Sequence, residues 1–153
     1  MRYEKLNPKN ISDFKKFFNA VKKDFLQFRK FDPHRKKTFE DYLTSKNLNI
    51  LLAIEKNKVV GYSAYDTNYK GKGKLIGIGF LRKHRGKGNG LKLAKKVMTI
   101  LKRAGNKEIV TRTWESNSSS QRLFKQLGFK KYKTIKNDRA NGESTFLFRW
   151  RKE

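Results

Sequence analysis

A short segment with three closely spaced glycines is the part of this sequence best suited to bind an anion. Gly86, Gly88 and Gly90 fall within five residues, with Arg85 directly before them and Lys87 among them. Glycines adopt dihedral angles that other residues avoid, and they leave backbone N–H groups accessible. A helix that begins here would direct its unpaired N–H groups and the positive end of its dipole at the same point. We therefore predict that the loop Arg85–Gly90 binds a pyrophosphate.

Other glycine-rich phosphate loops have a different spacing. A P-loop requires Gly-x-x-x-x-Gly-Lys-Ser/Thr, and in this sequence no Ser or Thr follows a Gly-Lys pair. A dinucleotide-binding fold requires Gly-x-Gly-x-x-Gly, which is also absent. The predicted loop therefore belongs to neither of these two classes.

The spacing does resemble that of one known family. Arg85, Gly88 and Gly90 resemble the signature Arg/Gln-x-x-Gly-x-Gly/Ala of the GNAT superfamily of acetyltransferases. A second segment, Asn117–Phe129, is similar to the family's helix Asn-x-x-Ala-x-x-Leu-Tyr-x-x-x-Gly-Phe, with a serine for the alanine and a phenylalanine for the tyrosine. The resemblance covers Leu75–Phe129 by motif, and the flanking residues by the order of their elements.

The resemblance implies an N-acetyltransferase that transfers acetyl from acetyl-CoA to a primary amine by direct attack in a ternary complex. No covalent enzyme intermediate is needed, which agrees with the lack of cysteine. Backbone groups at the end of the strand before the loop would contact the pantetheine, and their N–H groups would form the oxyanion hole. The cofactor-binding residues implied in this way are Phe80, Leu81, Arg82, Arg85, Gly86, Lys87, Gly88, Asn89, Gly90, Asn117 and Phe124.

Two proton transfers accompany such a reaction, and the sequence offers few groups for them. A lysine-like amine has a pKa of about 10.4, so it must lose a proton before it attacks. Glu115, at the end of a predicted strand, is the candidate base through a water relay, unless it only caps the following helix. Phe124 replaces the tyrosine that serves as the acid in the family, which leaves Ser120, Tyr132, a water or no acid. Arg112 stands where N-terminal acetyltransferases often have a glutamate.

Hydrophobic periodicity predicts the elements that position this chemistry. Apolar residues at helical spacing predict a first helix from about Ile11, capped by Asn10 or Ser12, and Thr38 with Asp41 predicts the capped start of a second. Three apolar segments then predict an antiparallel meander, whose last strand has glycines at positions 77 and 79 that indicate either a bulge or a close approach of another group to the backbone.

The remaining elements follow the anion-binding loop. A helix over Gly90–Ala104 with one apolar face, ended by Gly105, is predicted first. A strand, a second helix ended by Gly128 and two strands come after it. The predicted order is β-α-α-β-β-β-α-β-α-β-β. This is an α/β (α+β) arrangement of the GNAT type, a mixed and mostly antiparallel sheet flanked by helices, in a single domain of residues 1–153.

The charge of the chain indicates an anionic partner. There are 39 Lys and Arg against 13 Asp and Glu, a formal net charge of +26, and no acidic residue lies between Asp66 and Glu108. Such a field attracts RNA, the ribosome surface or a phosphorylated small molecule. Candidate contacts are the run at residues 35–37 and a basic face of Lys92, Lys95 and Lys96, although aromatic platforms are not evident near them. The alternative is a solvated, lysine-rich surface without a dedicated partner.

Composition also excludes several classes of protein. Without cysteine there are no disulfides, thiolate metal sites or thiol nucleophiles, and two histidines are too few for an ordinary metal site, so we expect no metal. No apolar stretch approaches the length of a membrane span. We expect a cytoplasmic protein without membrane contact, as a monomer or a homodimer.

Three functional hypotheses remain open. The first is an acetyltransferase for a small-molecule or protein amine. His34, in the Phe31-Asp32-Pro33-His34 loop, is then a candidate acceptor contact or base, unless it is an exposed loop residue without a role. The second is an acetyltransferase for an RNA-associated amine, on aminoacyl-tRNA or a ribosomal protein. The third is a non-catalytic acyl-CoA-binding module, which the loss of the family's tyrosine would explain.

Overall fold

The computed structural model describes residues 1–25 and 38–153, and the elements there follow the predicted order. The strands are β1 (Arg2–Lys5), β2 (Leu48–Glu55), β3 (Lys58–Tyr69), β4 (Lys72–Phe80), β5 (Glu108–Trp114), β6 (Lys130–Ile135) and β7 (Thr145–Arg151). The α-helices are α1 (Ile11–Val21), α2 (Phe39–Thr44), α3 (Asn89–Arg103) and α4 (Ser118–Gln126), and 3-10 turns occur at Lys22–Phe25 and Arg82–His84. His34 and the basic run at residues 35–37 lie outside the described residues.

The strands form one seven-stranded sheet in the order β1-β2-β3-β4-β5-β7-β6. Neighbouring strands are antiparallel except β4 and β5, which are parallel. These two strands are paired only where residues 73–74 meet 109–110. Just beyond, the hydroxyl of Thr111 donates a hydrogen bond to the Leu75 carbonyl at 2.9 Å. The strands then separate towards their carboxyl ends, and a cleft opens between them.

The glycines of β4 mark a bulge, as the sequence predicts. Gly77 pairs with Ala64 and Leu75 pairs with Tyr65, which leaves Ile76 as an extra residue in β4. A bulge bends the strand that carries it and increases its local twist. The bulge therefore lies where β4 begins to diverge from β5.

The helices pack on both faces of the sheet. On one face, Phe14, Phe17 and Val21 of α1 are buried against β2 and β3. On the other face, the apolar side of α3 and Phe124 of α4 are buried against the centre of the sheet. Phe17 is more deeply buried than Phe18, which instead packs edge-on against the ring of Phe39 with centroids 4.9 Å apart.

The ends of the helices confirm most of the predicted signals. Thr38 and Asp41 form the predicted capping box of α2. Gly105 and Gly128, directly after α3 and α4, have the positive φ angles of 93° and 90° that end a helix. Asn10 occupies the N-cap position of α1, but its side chain accepts a hydrogen bond from the N–H of Asn7 instead of capping the helix.

Two kinds of feature are not found in the part of the chain that the structure describes. No helix there is long and apolar enough to cross a bilayer. No group of three or more acidic or histidine side chains there could hold a metal ion.

Candidate active site

A cleft of about 540 Å³ lies between the separated ends of β4 and β5. The residues predicted to bind or act in the site that line it are Phe80, Arg85, Gly86, Gly88, Gly90, Asn117, Ser120 and Phe124. Those that do not line it are Leu81, Arg82, Lys87, Asn89 and Glu115. The fold therefore brings the glycine loop and the start of α4, which are distant in sequence, to the walls of one cavity.

The glycine loop has the space and the donors that an anion requires. Gly86 and Gly88 have φ angles of 71° and 81°, which other residues adopt only with strain. A Cβ placed on Gly86, Gly88 or Gly90 would meet no atom within 4 Å. Gly88 is the N-cap residue of α3, and no side chain in the described part of the chain caps that helix. The amino end of α3 thus lies beside open space with its first N–H groups uncapped, which is the arrangement that binds anions at helix ends.

Arg85 is fixed within the protein and is not a mobile cation. Its Nε donates to the carbonyl of Phe80 at 2.8 Å, and its guanidinium also contacts the carboxylate of Asp24. The side chain thereby ties the loop to the end of β4 and to the turn after α1. Asp24 itself lines the cleft, and sequence reasoning missed it because it lies 61 residues from Arg85. Asn89 closes the loop from the other side, since its Nδ2 donates to the His84 carbonyl at 3.0 Å.

The backbone at the end of β4 directs one N–H group towards the cleft. The N–H of Leu81 donates to the carbonyl of Val60 on β3 at 2.9 Å, so it is used within the sheet. Successive N–H groups of a strand point to opposite sides, and that of Phe80 therefore points away from β3, towards β5. The resemblance implies backbone donors at Phe80, Leu81 and Arg82. Of the first two, the N–H of Phe80 has the orientation of an oxyanion-hole donor.

Asn117 organises the polar part of the cleft at the start of α4. Its Oδ1 accepts from the N–H of Ser120 at 3.3 Å, which caps the helix. Its Nδ2 donates to the hydroxyl of Thr113 at 3.0 Å and to that of Ser120 at 2.9 Å. These bonds hold the Ser120 hydroxyl at the cleft wall. Because it accepts from Asn117, its own proton is left for a second acceptor.

Phe124 is buried and packs against two other aromatic rings. It is 4% exposed, and its ring lies 5.8 Å from that of Phe129 and 5.2 Å from that of Phe148. Tyr132, the other alternative for an acid, is on β6 and does not line the cleft. Among the named side chains considered for the acid, Ser120 alone lies in the cleft.

Glu115 and Glu143 form reciprocal hydrogen bonds with Ser144 and Ser116 that join two loops, and we call this arrangement the clasp. The carboxylate of Glu115 accepts from the N–H of Ser144 at 3.0 Å, and the Ser144 carbonyl accepts from the N–H of Glu115 at 3.1 Å. Glu143 makes the reciprocal contact, accepting from the N–H of Ser116 at 3.1 Å. Hydrogen bonds from Asn141 and from Ser116 hold the pKa of Glu143 below its usual value. The clasp joins the end of β5 to the start of β7, outside the cleft.

We expect Glu115→Gln to keep acetyl transfer within about threefold of the unaltered protein. The amide oxygen of glutamine can accept the same Ser144 N–H, so the clasp survives the change. Loss of a general base would instead lower the rate on the order of a hundredfold or more. The measurement is the rate against pH, with Glu143→Gln as the matched control. A large loss of rate in Glu115→Gln alone would indicate that Glu115 is the general base.

Comparison with known proteins identifies the family. Residues 14–129 match the model of the Acetyltransferase (GNAT) family. N-alpha-acetyltransferase 30 of Schizosaccharomyces pombe is 27% identical over 77 residues, which are 50% of this chain and 51% of that protein, so the match spans about half of this curated relative. Because the family model matches most of the chain, this protein belongs to the GNAT acetyltransferase family.

Solved structures of the family share the fold. A ribosomal-protein-alanine N-acetyltransferase from Brucella melitensis superposes with a TM-score of 0.80 at 15% identity, covering 99% of each chain. The yncA protein of Salmonella typhimurium, solved with its cofactor acetyl-CoA, gives 0.79 at 16% identity, covering 100% of this chain and 94% of that one. The likeness confirms the predicted α/β fold with its mostly antiparallel sheet.

Proposed function

We propose that this protein is an acetyl-CoA-dependent N-acetyltransferase with its acyl donor in the cleft between β4 and β5. The proposal rests on the glycine loop. Open space and uncapped helix N–H groups occur together there, at the mouth of a cleft that the second family motif, Asn117–Phe129, also lines. In this arrangement Arg85–Gly90 holds the pyrophosphate, and Phe80 and Asn117 lie along the pantetheine.

Acetyl-CoA supplies a thioester as the acyl donor. The nitrogen of the neutral acceptor amine forms a bond to the acyl carbon, the carbon–sulfur bond breaks, the amine gives a proton to solvent and the thiolate takes one from solvent. The N–H of Phe80 donates to the oxygen that becomes negative during attack, which is the contribution of an oxyanion hole. The hydroxyl of Ser120 donates a hydrogen bond to the departing sulfur.

Release of free thiol from acetyl-CoA tests the proposal with little background, because the chain has no cysteine of its own. The acceptor panel contains a lysine-like amine, a peptide with a free amino terminus and an aminoacyl-RNA. We expect thiol release with at least one of them, and none from a Gly90→Glu variant. Binding of acetyl-CoA without thiol release for every acceptor would favour the non-catalytic module.

Ser120→Ala is expected to lower the rate of acetyl transfer about tenfold with little change in acetyl-CoA affinity. The expected loss is that of one hydrogen bond to a charged group in the transition state, on the order of 1.5 kcal/mol. Ser118→Ala, at the exposed start of the same helix and outside the cleft lining, is the control. Equal rates for the two variants would remove Ser120 from the mechanism.

An RNA-associated amine is the second candidate acceptor. The net charge of +26 favours it, and so does the fold shared with an enzyme named for a ribosomal protein. Thiol release with the aminoacyl-RNA or with the peptide would show which kind of acceptor the protein uses. A cytoplasmic location, expected from the sequence, stays a prediction.

A further inference from the structure

Basic side chains share one face of the sheet where β7 and β6 form its end. Lys130 is paired with Arg149, and Lys133 is paired with Leu147. Paired residues project to the same side and alternate residues of a strand share a face, so these side chains lie opposite the face on which Phe148 is buried in the core. We define the basic sheet face as Lys130, Tyr132, Lys133, Arg149 and Arg151.

An aromatic ring is exposed in the middle of this face. The register between β6 and β7 shifts between Lys131 and Lys133, so Tyr132 is the extra residue of a bulge, a feature that re-aims a side chain. Tyr132 is 42% exposed, and among the described residues only Met1 is another exposed large hydrophobic side chain. The guanidinium of Arg149 lies 4.7 Å from the centre of the ring. Arg149 covers one side of the ring, and a flat ligand could stack on the other.

Two acidic residues lie next to the basic sheet face: Glu153, which is exposed and lines the same surface depression, and Glu108, which is already paired. Glu108 on β5 stands opposite Arg151 and accepts from its Nε at 2.7 Å, while Lys72 lies 2.7 Å from the other carboxylate oxygen. Lys130 and Lys133 are exposed. The face therefore presents positive charge around an exposed ring, which is the combination that binds single-stranded nucleic acids.

The basic sheet face also adjoins the cleft. Arg112 on β5 is paired with Leu147, which places it on this face, and it lines the cleft as well. A nucleic acid bound across the basic sheet face would thus extend towards the cleft.

We propose that the basic sheet face binds single-stranded RNA, with phosphates against Lys130 and Lys133 and a base stacked on Tyr132. Stacking on an aromatic ring separates this partner from anionic membranes and acidic proteins, which offer charge without bases. The proposal concerns binding alone, so it stands or fails independently of acetyl transfer.

Fluorescence anisotropy with a labelled single-stranded oligouridylate at several salt concentrations tests the proposal. Tyr132→Ala is expected to weaken binding about tenfold, whereas Tyr132→Phe, which keeps the ring, stays near the unaltered protein. Lys130→Gln with Lys133→Gln is expected to reduce the slope of log affinity against log salt by about 1.4, since each phosphate contributes about 0.7. Lys92→Gln with Lys95→Gln on α3 makes the same change of charge elsewhere and should leave that slope unchanged.

Two results would overturn the proposal. If both lysine pairs lower the salt slope equally, the RNA is held by diffuse charge and not by this face. If Tyr132→Ala binds oligouridylate as tightly as the unaltered protein does, no base stacks on the ring.

Heparin, a polyanion without bases, serves as a second probe, and its binding should not depend on Tyr132. Vesicles with anionic lipid complete the comparison. If vesicle binding depends on Tyr132 and RNA binding does not, the face is assigned to a membrane.

Discussion

Replacing Gly90 with glutamate is expected to weaken acetyl-CoA binding at least about a hundredfold, on the order of 3 kcal/mol, while the protein stays folded. A Cβ at Gly90 meets no atom within 4 Å, so the new side chain needs no rearrangement. The glutamate would place a negative charge beside the amino end of α3, where we propose that the pyrophosphate binds. The measurement is calorimetric titration with acetyl-CoA.

Two further variants separate charge from volume and from effects on the helix. Thr99→Glu adds the same charge to the exposed side of the same helix, about 13 Å further along it, and should bind acetyl-CoA normally. Gly90→Ala adds only a methyl group, which the signature Arg/Gln-x-x-Gly-x-Gly/Ala allows at this position, and should leave acetyl-CoA affinity nearly unchanged. Normal affinity in a folded Gly90→Glu protein would place the cofactor elsewhere.

Replacing Gly61 with alanine is expected to destabilise the fold by about 1–3 kcal/mol, as overpacking of a buried site does. A Cβ at Gly61 would overlap the ring of Phe80, which is 4% exposed. The ring belongs to the residue whose N–H faces the cleft, so its displacement should also lower acetyl-CoA affinity. Denaturant unfolding and calorimetry measure the two effects.

Phe80→Leu tests whether the Gly61→Ala effect passes through the ring. In a double-mutant cycle, the smaller leucine should accept the alanine, and the double variant should be more stable than the sum of the single changes predicts. Gly90→Ala is the control for stability, because a Cβ there meets nothing within 4 Å and the residue does not have a positive φ angle. Additive effects of the two changes would show that the overlap is relieved in another way.

The parts of the fold that depend on local pattern were predictable from the sequence. The capping box of Thr38 and Asp41 and the helix-ending glycines Gly105 and Gly128 involve residues close in the chain, and all three are present. The bulge of β4 was signalled by Gly77 in the same way. The two motifs specified the cleft because each marks the amino end of a helix beside it.

The features that sequence reasoning missed are set by contacts between distant residues. Asp24 holds Arg85 across 61 residues, and nothing in either local sequence indicates that pair. The clasp between Glu115 and Ser144 joins residues 29 apart, so the sequence could offer Glu115 only as a candidate base or as a cap of the next helix. The hydrogen bond from the Leu81 N–H to β3 depends on the register between β4 and β3. The alternation of apolar residues does not determine that register.

The most direct test of the central claim is the change in backbone amide NMR signals when acetyl-CoA is added to the isotope-labelled protein. We predict that the largest changes cluster at Phe80, at Gly86–Gly90 and at Asn117, with saturation at one cofactor per chain. Signals of β6 and β7 should change little. Changes that are centred on β6 and β7, or no changes in the folded protein, would contradict the placement of the acyl donor between β4 and β5.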